Sequence, residues 1–274
     1  MRAGHRFLRS RSAVLGLAIL SVVVVVAATA PIAFPGSPFR RVDRPFLPPF
    51  GAYVFGTDVL GRDVAAGIAH GARTSLMIGL LATAVAVIVG TLTGGVAGYY
   101  GGRTDDVLMR VTEFFQTIPT FLFAILLVAI LSPSVRSIVG AIAVVSWPPV
   151  ARLVRGEFLA LRNREFVQAG ICLGMSDGRV IFRHILPNCL SPIIVTGSLI
   201  VATAILIESA LSFLGLGDPN TMSWGFMIGA GRTFLRSAWW LCTIPGVAIL
   251  LTVLAINLLG EGLNDALNPR LRNR

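Results

Sequence analysis

The sequence contains no lysine: all 23 of its basic residues are arginine, set against 13 acids. That absence excludes a nucleotide-binding P-loop, whose Gly-Lys pair has to reach the phosphates. Any ATP used with this chain is hydrolysed on another. Charge of either sign is scarce, at 13% of 274 residues, while hydrophobic residues make up 55%. A water-soluble domain is nearer a quarter charged, because its surface faces water. Here much of the surface must face lipid. Cysteine is scarce as well: Cys172, Cys189 and Cys242 are single and far apart. They lack the paired spacing of a disulfide or zinc framework and read as small apolar packing residues. His5, His70 and His184 are equally scattered, and no HExxH pattern suggests a metal site.

What the chain has is long apolar runs, and a spanning helix needs about 20 such residues. Stretches free of Asp, Glu and Arg cover 12–39, 74–102, 114–135, 137–151, 184–207 and 237–260. They predict an all-α integral membrane fold of about six transmembrane helices. The fourth run is the shortest and contains Pro148-Pro149, so it spans only if Arg152 and Arg155 snorkel to the interface. The first run has a second reading. Arg2, Arg6, Arg9 and Arg11, an apolar stretch and then Ala28-Thr29-Ala30 look like a signal peptide with its cleavage site. The run from Ala13 to Phe34 is long for a signal sequence, which favours a retained anchor.

The net charge is +10, which on a soluble chain would suggest nucleic acid. On this one it sets direction. With the amino terminus inside and six spans, 15 of the 23 arginines fall in inside segments. Removing the fourth span would put the arginine-rich 152–183 stretch outside, against the positive-inside rule. The expectation is a multi-pass membrane protein, surrounded by lipid, with both termini cytoplasmic and no nucleic-acid partner. Within the second span Gly90, Gly94 and Gly98 make two overlapping GxxxG steps, a groove that lets another helix come close.

The stretch 155–188 is long for a connection between spans and reads as two short helices. Phe166, Gly170 and Gly174 recur at i, i+4 and i+8 and would line one helix face, with backbone exposed at the glycines. Ser176 or Asp177 can cap a following helix, and Pro187 marks the approach to the fifth span. By pattern alone this fits a helix that receives force from a soluble motor, or a solvated amphipathic connector. The segment Gln168-Ala169-Gly170, then Gly174, then Leu186-Pro187 resembles the EAA loop of ABC-importer permeases. It departs from that pattern in having Gln168 for Glu and Gly170 for Ala.

Other blocks carry the resemblance further. FGTDVLGRDVAAGIAHGARTSL at 55–76, ESALSFLGLG at 208–217, MSWGFMI at 222–228 and the stretch 239–272 are similar to the second permease subunit of dipeptide, oligopeptide and nickel importers. The resemblance implies a type I ABC-importer permease of the bacterial cytoplasmic (inner) membrane: residues 1–54 as tail, first helix and Pro-rich outer loop, and 55–274 as the permease domain, with the coupling loop at 155–188. It implies that Glu165, Phe166, Gln168, Ala169, Gly170, Gly174, Asp177 and Pro187 take part in coupling to an ATPase. The partners implied are a homologous second permease, one or two ATPase subunits and an extracytoplasmic substrate-binding protein. No cofactor would be bound by this chain, since ATP and Mg would sit on the ATPase subunits. The chain itself would not be an enzyme; its cargo would be small peptides or a related solute such as nickel, moved by alternating access.

Glu208 is the one acid inside a predicted span, and a carboxylate there is a functional candidate by default. It can line the substrate path, or act in structure or gating. Its place near the outer end of the span, within reach of water, favours the latter. Asp58, Arg62, Asp63 and Arg73 precede or open the second span, where they can pair at the membrane surface or receive a binding protein; Arg62, Ala66, Ala69 or His70 and Arg73 suit one helix face. Gly174-Met175-Ser176-Asp177-Gly178 satisfies the GxSxG pattern of hydrolases, with His184 nearby. That chemistry needs a strand before the serine, which the two predicted helices do not supply, so the match is read as chance.

Overall fold

The structure, a computed structural model, describes residues 10–267. Helix α1 (Arg11–Ala33) starts where Ser10 caps it and runs unbroken through Ala28-Thr29-Ala30. An irregular strap, 34–63, follows. It has no run of strand, and Thr57 holds it together: the Thr57 hydroxyl donates to Arg44 O at 2.7 Å and accepts from Leu47 N at 2.9 Å. Asp63 then caps α2 (Val64–Tyr100) by accepting from Ala65 N at 2.8 Å. At 37 residues α2 is roughly 55 Å long, so it projects beyond a hydrocarbon core of about 30 Å.

Gly101 and Gly102, at φ +66° and +53°, make the sharp turn into α3 (Gly102–Thr117). Pro119 interrupts the chain before α4 (Thr120–Leu131), and the two helices meet at 86°. Helix α5 (Val135–Arg162) follows, then the short α6 (Glu165–Cys172) and α7 (Asp177–Val180). A π-helical stretch, Ile181–Ile185, joins α7 to α8 (Leu186–Phe213), which begins with Pro187 in its first turn. The short α9 (Trp224–Gly231) and the long α10 (Trp240–Leu267) close the chain.

Five of these helices are long and apolar enough to cross a membrane, and a sixth span exists if the bent α3–α4 pair is counted as one. Five or six spans agree with the expectation of about six, but their weak member differs. The fourth run is the first half of a 28-residue helix that continues through Pro148-Pro149. Its uncharged part is short because the last three turns carry Arg152, Arg155 and Arg162. The third run is the incomplete one. Its 114–117 portion belongs to α3, leaving α4 with 12 residues, about 18 Å of helix.

Helices α2 and α5 form the central pair, joined along the glycine steps. A Cβ at Gly90 would meet Trp147 O and Val150, one at Gly94 would meet Ala151 O, and one at Gly98 would meet Arg155 O and Phe158. The partner positions on α5 also recur every four residues, so the two backbones run in contact over more than two turns. Helix α1 lies against α10, with Gly16 under Ala255 O and Leu258, and against α2. Two ends of the bundle result. One carries Tyr99, Arg162 and α6–α7; the other carries the strap, α9 and the 214–223 segment, as the bond from Trp240 Nε1 to Thr57 O and the Phe39–Phe226 contact show.

Candidate functional site

The α6 end is built on a helix that turns two residues inward and most of the rest outward. Val167 and Gly170 are buried, whereas Glu165, Phe166, Gln168 and Ala169 are exposed. Ile171 and Leu173 extend this outward apolar surface, and Leu173 is 79% exposed. Helix α6 ends in a Schellman motif: Gly174 N donates to Ile171 O at 2.9 Å and Met175 N donates to Gly170 O at 3.2 Å. Gly174 has φ +76°, and nothing lies within 4 Å of where its Cβ would be. The expected single Phe166–Gly170–Gly174 face therefore does not form. Phe166 points out, Gly170 lies in under the Met175 sulfur, and Gly174 terminates the helix.

Several contacts tie this projecting unit to the bundle. Tyr99 Oη at the end of α2 donates to Asp177 Oδ1 at 2.7 Å, and Gln168 Nε2 donates to Arg162 O at 2.9 Å. Val167, Val180 and Ile185 pack in one buried cluster with Tyr99, Val150, Val154, Phe158 and Cys189. Helix α6 is thus packed on α2, α5 and α8 together. Beside it Arg155 grips Asp105 of α3 with two bonds of 2.5 Å. Asp177 serves the Tyr99 bond, and Ser176, at the cap position, makes no side-chain cap bond. Ser176 is exposed between α6 and α7 with helix on both sides, so the strand required for a hydrolase elbow is missing. Cys172 is also exposed, contrary to its reading as a packing residue, while Cys189 is buried.

At the opposite end Glu208 is 1% exposed, so water does not reach it as expected from its place in the sequence. Its carboxylate accepts from four serines. Oε1 takes Ser212 at 2.8 Å and Ser223 at 2.7 Å, and Oε2 takes Ser75 and Ser209, both at 3.4 Å. Neither ion pair among the described residues includes it. The serines come from α2, from α8 itself and from the cap of α9. Two do double duty: the Ser223 hydroxyl accepts from Phe226 N at 3.1 Å, and the Ser75 hydroxyl accepts from Trp224 N at 3.4 Å. Trp224 Nε1 donates to Ile68 O at 3.0 Å, and Gly225 packs against Ser209. Glu208 is thus the centre of a polar knot that fastens α9 between α2 and α8.

The remaining charged candidates have local tasks. Asp58 Oδ1 accepts from Leu60 N and Arg62 N, both at 2.8 Å, with Arg62 Nε 3.9 Å from Asp58 Oδ2. Arg62 also lies over Phe39. Since α2 begins at Val64, Arg62 is outside the helix whose face it was expected to share with Arg73. Of the serines around Glu208, some are signalled by spacing and others are not. Ser212 stands four residues from Glu208 on one helix, a spacing that predicts contact; Ser75 is 133 residues away.

A bundle of apolar helices, with one short amphipathic helix projecting from one end and one fastened into the other, is the scaffold of a multi-pass transport permease. Comparison with known proteins gives the family. Residues 86–273 match the binding-protein-dependent transport system inner membrane component, and residues 1–49 match the N-terminal transmembrane domain of oligopeptide transport permease C. The chain is 42% identical to the dipeptide transport system permease protein DppC of Alkalihalophilus pseudofirmus over 271 residues, 97% of this chain and 88% of the relative. It is 41% identical to the di/tripeptide transport system permease protein DppC of Pseudomonas aeruginosa over 276 residues, covering 97% and 91%. It is 38% identical to the oligopeptide transport system permease protein OppC of Haemophilus influenzae over 275 residues, covering 98% and 88%. The chain belongs to the binding-protein-dependent inner-membrane permeases, a family of transporter subunits and not a catalytic one.

Proposed function

We propose that this chain is one of two homologous permease subunits that carry small peptides inward, driven by ATPase subunits that dock on α6. The observation that carries the reading is the projecting α6, with Phe166, Ile171 and Leu173 exposed outward and Val167 anchored inward. Exposed apolar residues on a short, well-anchored helix suit insertion into a groove of a soluble partner. The names of the three relatives supply the cargo class. The arginine distribution supports a reading with both termini and α6 on the cytoplasmic side and the strap and α9 outside, where a substrate-binding protein would deliver.

In this mechanism ATP and Mg are held by the motor subunits, whose closure moves α6. The Tyr99–Asp177 bond and the Val167–Val180–Ile185 cluster carry that motion to α2, α5 and α8. Glu165, Gln168 and Ala169 line the docking face, Gly170 and Gly174 shape the helix and its stop, and Pro187 starts the span that receives the motion. Glu208 acts in structure or gating: it keeps α9 locked to α2 and α8 at the outer end while the inner end moves.

The test is ATP-driven uptake of labelled di- and tripeptides by the transporter reconstituted with its partner permease, ATPases and binding protein. Wild type should accumulate peptide only with ATP, and Leu173→Asp should abolish uptake without loss of the permease from the membrane. Uptake independent of ATP would instead indicate a passive channel. Peptide hydrolysis by the purified chain would indicate an enzyme.

A further inference from the structure

Arg73 is a charge in apolar surroundings with no partner in the functions above. Helix α2 begins at Val64, so Arg73 lies about 14 Å along it, and its side chain is exposed. It is in neither ion pair among the described residues. It borders a cleft of about 510 Å³ between α1 and α2, lined otherwise by apolar residues including Val24, Ala28, Pro31, Leu76 and Leu80. Pro31 is in the last turns of α1 and Arg73 is the first α2 residue of the cleft, so the charge stands at the strap end. Val24 and Leu80 lie two turns deeper. The cleft is therefore amphipathic along its length, with a cation at its strap end and apolar walls beyond it, so that the proposed orientation sets Arg73 near the outer membrane surface.

An unpaired guanidinium at this depth is costly unless it reaches water or meets an anion. A phosphodiester is the anion present at that depth in every bilayer, and guanidinium binds phosphate with two parallel hydrogen bonds. A free phosphate would satisfy Arg73 and leave the apolar walls unfilled; a phospholipid satisfies both. We infer that the α1–α2 cleft is a binding site for an anionic phospholipid, with the phosphate on Arg73 and one acyl chain along Leu76, Leu80 and Val24. A bound lipid would fill the gap between α1 and the central pair.

The test uses the assembled transporter, purified in mild detergent, with retained lipid counted by native mass spectrometry. Wild type should hold phosphatidylglycerol in preference to phosphatidylethanolamine, and added inorganic phosphate should not displace it. Arg73→Gln should lower phosphatidylglycerol retention by about tenfold, and Arg73→Lys should restore most of it. Ala28→Phe, at an exposed position of α1, should block the cleft and lower retention with Arg73 intact. Equal retention in wild type, Arg73→Gln and Ala28→Phe would overturn the site. So would an Ala28→Cys cross-link to the homologous permease with no lipid bound, which would make the cleft a protein interface. Peptide uptake and ATPase binding are separate readouts, so loss of the lipid site leaves the permease function standing.

Discussion

Helix α2 is joined to the rest of the bundle in two different ways along its length. From Gly90 to Gly98 it meets α5 backbone to backbone, and the join depends on the absence of side chains. From Ser75 it meets α8 and α9 through the Glu208 carboxylate and its serines, and the join depends on particular donors and an acceptor. The first join is sensitive to volume and indifferent to polarity; the second is the reverse. A transporter that moves one end relative to the other gains from this arrangement. In the proposed mechanism the glycine seam would keep α2 and α5 together as one body, while the knot would hold α9 to α2 and α8 at the outer end.

The largest effect is expected at the seam. Gly94→Leu places atoms where Ala151 O stands, in backbone that cannot swing aside, and should cost about 3 kcal/mol or prevent accumulation. Thermal unfolding of the purified permease, compared with Gly140→Leu, where a Cβ has open space, measures it. Next comes Glu208→Leu, which leaves the Ser212 and Ser223 hydroxyls without their acceptor and should cost about 2–3 kcal/mol. Glu208→Gln keeps one carbonyl oxygen and should cost about 1 kcal/mol, with uptake retained. Equal losses in the two Glu208 variants would mean that the retained acceptor contributes nothing, and the contrast between the two joins would fail.

Two smaller effects sharpen the comparison. Ser223→Ala removes both a donor to Glu208 and the cap on Phe226 N, and should cost about 1–2 kcal/mol; Ser209→Ala, at 3.4 Å, should cost less than about 0.5 kcal/mol. Tyr99→Phe should leave the melting temperature within a few degrees, since it removes one half-exposed bond of about 1 kcal/mol. It should nonetheless lower the transport obtained per ATP hydrolysed, because that bond ties α7 to α2.

The spans are legible because lipid imposes a simple demand on composition, and the arginine pattern supports six of them where the structure has five or six. Their lengths were less so. Treating every arginine as the end of a span truncated α5, whose last turns carry Arg152, Arg155 and Arg162, and hid the Pro119 break behind continuous hydropathy. In the 155–188 stretch the short helices were foreseen, but Gly174 was placed on a helical face by periodicity. A glycine just beyond the last apolar turn is equally the standard helix stop, and its φ of +76° shows which signal governs. Glu208 stood out as a lone acid in a span. Its depth and most of its serine shell did not, because Ser75 and Ser223 reach it only through tertiary packing.

The docking of α6 on a motor subunit can be measured through the protein's own chemistry. Cys172, at the end of α6, is exposed, Cys189 is buried and Cys242 is half-buried. A short thiol-reactive cross-linker added to inside-out membrane vesicles of the assembled transporter should join Cys172 to an ATPase subunit, and Cys172→Ser should remove the product. Failure of Cys172 to react from the cytoplasmic side, or a cross-link only to the other permease or to the binding protein, would contradict the assignment of α6 as the motor's docking helix.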